Sequence, residues 1–181
     1  MADILRKELE DKGVIIEDKQ DQTTWMYKKD MLDEQSNSFE NVEYNGIYNI
    51  NNPFVVMSEK ALILSDESDL IYMTKMKVTV NMNDGRIIVI TSDKGKYNKV
   101  TYDCYFEVNV KATDGRTIVL SDNLDLVASE DIASIYNNVR LNNDNGSLIA
   151  DKVDYDFETK YYKVSMFDDT RVKAKIIEWV I

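Results

Sequence analysis

Apolar and polar positions alternate with a period of two from about residue 39 onward. The clearest run is 102–112, YDCYFEVNVKA. Tyr102, Cys104, Phe106, Val108, Val110 and Ala112 share one side, and Asp103, Tyr105, Glu107, Asn109 and Lys111 share the other. In 72–83, Tyr72, Met76, Val78, Val80 and Met82 stand against Lys75, Lys77, Thr79, Asn81 and Asn83. In 161–167, Tyr162, Val164 and Met166 alternate with Lys163 and Ser165. Successive side chains of a strand point to opposite faces, so this pattern predicts half-buried strands and argues against helices. Asp84-Gly85, Asp114-Gly115, Asn145-Gly146 and Asn45-Gly46 are read as hairpin turns, because Asp, Asn and Gly accept the positive φ that such turns need. Pro53, the only proline, precedes the strand FVVM and interrupts no ladder.

A second pattern is longer. SEKALI (58–63), SDKGKY (92–97), SDNLDL (121–126) and ADKVDY (150–155) each start with a small residue and an acidic one, and the starts lie 34, 29 and 29 residues apart. Gly85, Gly115 and Gly146 are spaced by 30 and 31, each followed by an apolar run. The unit reads as strand, Asp/Asn-Gly turn, strand, small-acidic corner, strand. The phrase is expected at corners where one strand ends and the next begins. Repetition at about 30 residues predicts a stacked or rolled β architecture whose units share an apolar face. Ahead of it, residues 1–12 read as a short amphipathic helix, with Ile4, Leu5 and Leu9 near one face, Asp3 as cap and Gly13 as stop. Residues 17–38 are polar, with Trp25, Met26 and Tyr27 as an apolar island and at most one strand. The division is therefore a lead-in, 1–37, and a β domain, 38–181.

Composition narrows the chemistry. The 181 residues carry 33 acidic and 22 basic side chains, a formal charge of −11. That disfavours nucleic acid, where phosphate neutralisation supplies most of the affinity. It also disfavours nonspecific docking on an anionic membrane. The chain has no histidine, which removes imidazole bases, His-based triads and His metal sites. Cys104 is the only cysteine. It sits among aromatics and reads as a buried filler rather than a reactive thiol. The acidic pairs Asp66/Glu67, Glu130/Asp131 and Asp168/Asp169 fall in turns and match no calcium-loop register, so they read as solvated. No phosphate-cradling glycine motif occurs. No catalytic residue, metal site or cofactor is assigned, and no apolar run is long enough to span a bilayer.

SFENVEYNGIYNINNPFVVMSEKAL (38–62) and IYNNVRLNNDNGSLIADKVDYDFETKYYKVSMF (135–167) resemble the lipopolysaccharide-export component C family, and the resemblance covers about 38–177. It implies an all-β fold, an open V-shaped antiparallel β-jellyroll, shared with the soluble bridge protein of the same pathway. It implies a non-enzymatic role: taking lipopolysaccharide from an inner-membrane ABC transporter complex and passing it to a periplasmic jellyroll bridge. Acyl chains would lie between the sheets, and edge strands would join consecutive jellyrolls. The family's inner-membrane anchor helix has no counterpart in this sequence, which reads as a periplasmic chain shortened at its N-terminus.

The residue pattern offers its own candidates for a lipid trough. These are Tyr72, Met76, Val78, Val80, Met82, Phe106, Val108, Val110, Ile118, Leu120, Val139, Leu141, Tyr162, Val164 and Met166. Each is also a candidate for plain core, and the methionines suit either role. Val172, Ala174 and Ile176 in the final segment RVKAKIIEWVI are candidates for an edge strand offered to a partner. The rival reading is a structural β-solenoid or adhesin-like self-assembling protein without a lipid ligand, whose interior would be filled.

Overall fold

The computed structural model describes residues 14–19, 22–27, 36–48, 52–82 and 84–176, and every regular element among them is a strand. Two short strands, β1 (Val14–Lys19) and β2 (Gln22–Tyr27), pair as an antiparallel ribbon. The lead-in thus holds two strands where at most one was expected. Thr23, Thr24, Trp25 and Tyr27 supply the β propensity. The helix expected at 1–12 lies outside the described residues.

The main sheet has ten strands: β3 (Ser36–Tyr48), β4 (Asn52–Leu64), β5 (Leu70–Asn81), β6 (Ile87–Asn98), β7 (Cys104–Thr113), β8 (Ile118–Val127), β9 (Ile132–Asn143), β10 (Gly146–Asp156), β11 (Tyr162–Ser165) and β12 (Lys173–Ile176). From β3 to β11 it is a simple antiparallel meander. The last two strands share the outer edge of β10. Lys152 to Tyr155 pair with β11, and Gly146 to Ile149 pair with β12.

The repeated small-acidic phrase does not sit at strand ends, as the sequence suggested. Ser58, Ser92, Ser121 and Ala150 lie in the middle of β4, β6, β8 and β10. Register shifts fall between Thr91 and Lys94, Glu107 and Val110, Leu120 and Asn123, and Ala150 and Lys152. The neighbouring strands put left-handed residues opposite: Asn41 in β3, Lys75 in β5, Val108 and Asn109 in β7, Asn137 and Asn138 in β9. An irregularity of this kind bends the strand and increases its twist. Aligned across successive strands, these sites make one crease running through the whole sheet.

The phrase has a physical logic. The small residue is buried inside the bend, where a larger side chain would collide with the opposite half. Ser92 and Ser121 donate through Oγ to the carbonyls of Lys94 (2.7 Å) and Asn123 (2.9 Å), two residues on. In two of the four phrases the acidic residue, on the outside, gathers left-handed partners from the neighbouring strands. Asp93 accepts from Lys75 Nζ (2.6 Å) and Asn109 Nδ2 (2.6 Å), and Asp122 accepts from Asn138 Nδ2.

Crossing the crease also changes which residues face inward. In β4 the buried set is Phe54, Val56 and Ser58, then Ala61. In β6 it is Ile90 and Ser92, then Tyr97. In β8 it is Ser121, then Leu124, and in β10 Ala150, then Val153. The crease divides the sheet into a half that carries the Asp-Gly and Asn-Gly turns (the glycine-turn half) and a half that carries the longer connections (the long-loop half). The two face each other. Phe54, on the glycine-turn half, lies 6.3 Å from Tyr97 of the long-loop half and 5.9 Å from Tyr102, ring centroid to centroid. Tyr44 meets Tyr97 in the same way at 5.6 Å.

Asn45-Gly46, read as a turn from sequence, lies inside β3. Gly46 is required there by close approach rather than by φ, because a Cβ would overlap the Phe54 ring. The core is not uniform. From β4 to β7 it is filled by residues such as Ile71, Met76, Val78, Phe106 and Val110, all fully buried. Toward β9–β11 a smaller cluster of Val139, Ala150 and Val153 is flanked by half-buried Leu148, Val164 and Met166. The long-loop end is tied by buried Asp103, which accepts from Ser129 N–H (3.0 Å), Ser129 Oγ (3.0 Å) and Thr101 Oγ1 (2.7 Å).

Candidate functional site

Between the two clusters the sheet halves part and leave an apolar cavity of about 370 Å³. The glycine-turn half contributes Val78, Val80, Ile90, Ala112, Val119, Leu141 and Leu148, and the long-loop half contributes Cys104, Leu124, Leu126, Ala133, Ile135, Val153 and Val164. Both walls are inward-facing strand positions, so the cavity follows directly from the crease. An aromatic group stands at the β10–β11 side. Tyr155 stacks on Tyr162 (4.4 Å) and meets Phe157 edge-on (4.8 Å), and all three line the space.

The rim at the glycine-turn end is polar. Arg86 and Asp114 line both the apolar cavity and an adjoining recess between three hairpin turns, where Arg116, Asp144 and Asn145 also stand. Arg86 Nε donates to Asp84 Oδ2 (2.8 Å), and its Nη1 lies 3.6 Å from Asp114 Oδ2. Backbone N–H groups of Thr117 and Arg116, more than the arginine, hold the Asp114 carboxyl below its usual range. The hydrogen bond to Asp84 raises the Arg86 guanidinium further. Inside, burial pushes the Tyr97 phenol up to about 12 and the Cys104 thiol well above its ordinary value. Among the described residues no group of three or more acidic or thiol side chains converges as a metal site would require.

Of the residues proposed from sequence, Val78, Val80, Met82, Leu141, Tyr162 and Val164 line the cavity. Met76, Phe106, Val110 and Val139 are buried in filled core, and Met166 packs on the smaller cluster. Tyr72 points outward, its hydroxyl donating to Glu67 Oε2 at 2.5 Å. Ile118 and Leu120 also face outward, 40 % and 41 % exposed, because Val119 between them takes the inward place. Val108 stands on the crease, 46 % exposed. Val172, Ala174 and Ile176 lie in or just before β12, an exposed strand on the outer edge of β10. Leu124, Leu126, Ile135, Val153, Tyr155 and Phe157 line the cavity and were not singled out from sequence. The signal for most of them is the phase change at each small-acidic phrase.

The arrangement is that of an open antiparallel jellyroll with an apolar interior and a charged rim. Residues 17–166 match the family described as lipopolysaccharide-assembly, LptC-related, and the chain belongs to that family. Among solved structures it is similar to LptH, the LptA-homologous periplasmic component of the lipopolysaccharide transport device of Pseudomonas aeruginosa. The TM-score is 0.54 at 12 % identity, over 70 % of this chain and 96 % of that one. No curated protein matches the chain. Among the described residues no helix is long and apolar enough to cross a membrane.

Proposed function

We propose that this protein binds lipopolysaccharide by its acyl chains in the cavity between the sheet halves and hands it on without covalent chemistry. It would receive the lipid from an inner-membrane ABC transporter complex and deliver it to a periplasmic jellyroll bridge. The observation that carries the reading is the cavity itself: about 370 Å³ of apolar space walled by strand residues from both halves, with charge only at the rim. Burial is worth roughly 0.8 kcal/mol per methylene, so an acyl chain needs no polar anchor inside. The rim of Arg86, Asp114 and Thr117 suits the polar head of such an amphiphile. Among the described residues the two sheet edges, β3 and β11/β12, have no strand on their outer sides, and similar sheets could add strands there. An N-terminal inner-membrane anchor on the full-length protein belongs to the same reading. A solenoid with a filled interior fits less well, because the strands form one antiparallel meander rather than stacked coils.

Photocrosslinking of purified lipopolysaccharide tests this. Probes at Leu124 and Ile135 should crosslink, while probes at Tyr136 and Thr74, on the outer face of the long-loop half, should not. Equal labelling at inner and outer positions would mean surface adsorption, and no labelling of the folded protein would leave the likeness to lipid carriers as one of fold alone.

A further inference from the structure

The outer faces of the two halves differ sharply in charge. In the two central cross-strand rows of the long-loop half, Lys60, Lys94, Lys96, Lys152 and Lys163 are interspersed with the acids Glu40, Glu107, Asp125 and Asp154, and two of these cations are paired, Lys96 with Glu107 (3.3 Å) and Lys152 with Asp154 (2.8 Å). The corresponding rows of the glycine-turn half carry Lys77, Lys111, Arg140, Lys173 and Lys175. All five are exposed, and none has a salt-bridge partner among the described residues. From β4 to β12 these rows contain no acid. Glu43, at the far β3 edge, is the exception, and the acids of the crease and of the hairpin tips bound the band on either side. Exposed Leu120 and Ile149 stand between cations in direct cross-strand register, exposed Met57 pairs with Lys77, and exposed Ile118 lies in the neighbouring row.

In a chain of charge −11, an exposed band of cations without acids between them is complementary to an anionic surface. We infer that the outer face of the glycine-turn half docks on an anionic phospholipid bilayer. Five spaced cations match a plane of phosphate headgroups, each adding to the attraction within a Debye length. The aliphatic side chains between them can settle among the headgroups as an amphipathic surface does. An acidic protein is the less favoured occupant, since the band has no recess and no aromatic residue of the kind that anchors protein interfaces. The expectation from overall charge, that the chain avoids anionic membranes, is then reversed on this one face. The remaining negative charge turns the rest of the molecule away from the bilayer.

The inference stands apart from lipid carriage in the cavity, and its test is separate. The chain is sedimented with vesicles of phosphatidylcholine alone and with vesicles containing about one third phosphatidylglycerol. Binding should appear only with the anionic vesicles and should weaken as salt rises. Lys111→Gln with Arg140→Gln should reduce it roughly thirtyfold. Lys96→Gln with Lys152→Gln, on the other outer face, removes the same charge and should change it less than threefold. Equal losses in the two double variants would overturn the assignment to this face. Absence of binding to anionic vesicles at low salt would overturn membrane docking altogether and leave the band to an acidic protein.

Discussion

Replacing Ile135 by Asp separates a lipid path from ordinary core. Ile135 is half-buried in β9, borders both apolar clusters and lines the cavity. In the empty protein the change removes about half of a buried aliphatic side chain, roughly 1 kcal/mol. The new carboxylate can keep water through the open side of the groove. Once an acyl chain fills the space, that water is displaced, and burying an uncompensated charge costs several kcal/mol. Affinity for lipopolysaccharide should therefore drop by more than about a hundredfold, while the denaturation midpoint moves only modestly. Thr74→Asp, on the outer face of β5 in the long-loop half, should leave both nearly unchanged. The measurement is paired: chemical denaturation for stability and equilibrium binding of fluorescent lipopolysaccharide for affinity. If binding falls only in proportion to stability, or if Thr74→Asp weakens binding equally, the cavity is not the lipid site.

Other consequences follow from the crease and the groove. Ser58 Oγ is buried without a hydrogen-bond partner among the described residues, and β10 places Ala150 at the matching position. Ser58→Ala should be neutral or stabilising by up to about 1 kcal/mol, whereas Ser92→Ala and Ser121→Ala should each cost about 1 kcal/mol in urea denaturation. Val108 holds a left-handed φ of 65° that its β-branched side chain opposes, so Val108→Asn should stabilise by about 1 kcal/mol in the same assay. Burial holds the Asp125 carboxyl above its usual range, with the Tyr136 hydroxyl only partly offsetting it and Glu107 adding repulsion. Its charged form therefore costs the folded state stability at neutral pH. Asp125→Asn should raise the melting temperature there, and the gain should disappear as pH falls through the raised pKa toward the unfolded value of about 3.9. Cys104 lines the cavity as a buried thiol held in its neutral form, so it should resist a disulfide reagent in the native state, and bound lipid should slow the reaction further.

Much of the fold is legible in the sequence because a period of two and an Asp-Gly or Asn-Gly dipeptide are local signals. The turns at Gly85, Gly115 and Gly146 fall where the pattern puts them. The faces of the strands are less legible, since alternation says that neighbours oppose each other but not where the phase changes. Extending one phase across a strand put Tyr72, Ile118 and Leu120 with the interior. Yet in IVLSDNLDL the inward set is Val119 and Ser121, then Leu124 and Leu126. The repeated phrase was visible, and its meaning was not, because a small residue followed by an acid suits a turn as well as a bend within a strand. What decides between them is long-range: the small residue faces the opposite half of the sheet, and the acid meets a left-handed partner on the next strand. Asn45-Gly46 fails for a related reason, as its glycine answers to a ring on β4 rather than to its own backbone.

The crease also explains why a groove exists at all. In a closed sandwich, connections cross between two separate sheets and bury both inner faces. Here the long strands pass from one half to the other by bending, and strands from β3 to β11 pair with their chain neighbours, β10 alone taking a further partner in β12. The sheet can therefore fold on itself without ever joining its edges. Closure is left to side-chain volume. Where Phe54, Met76, Tyr97 and Phe106 fill the space the halves meet. Where Ala112 and Ala133 stand among medium aliphatics, they stay apart. At the β10 edge, β11 and β12 pair on either side of the register shift at Ala150/Lys152. A further sheet added there in register would continue the apolar trough rather than cap it. That continuity is what passing a multi-chain lipid along a protein path requires, and it needs no moving part in this chain.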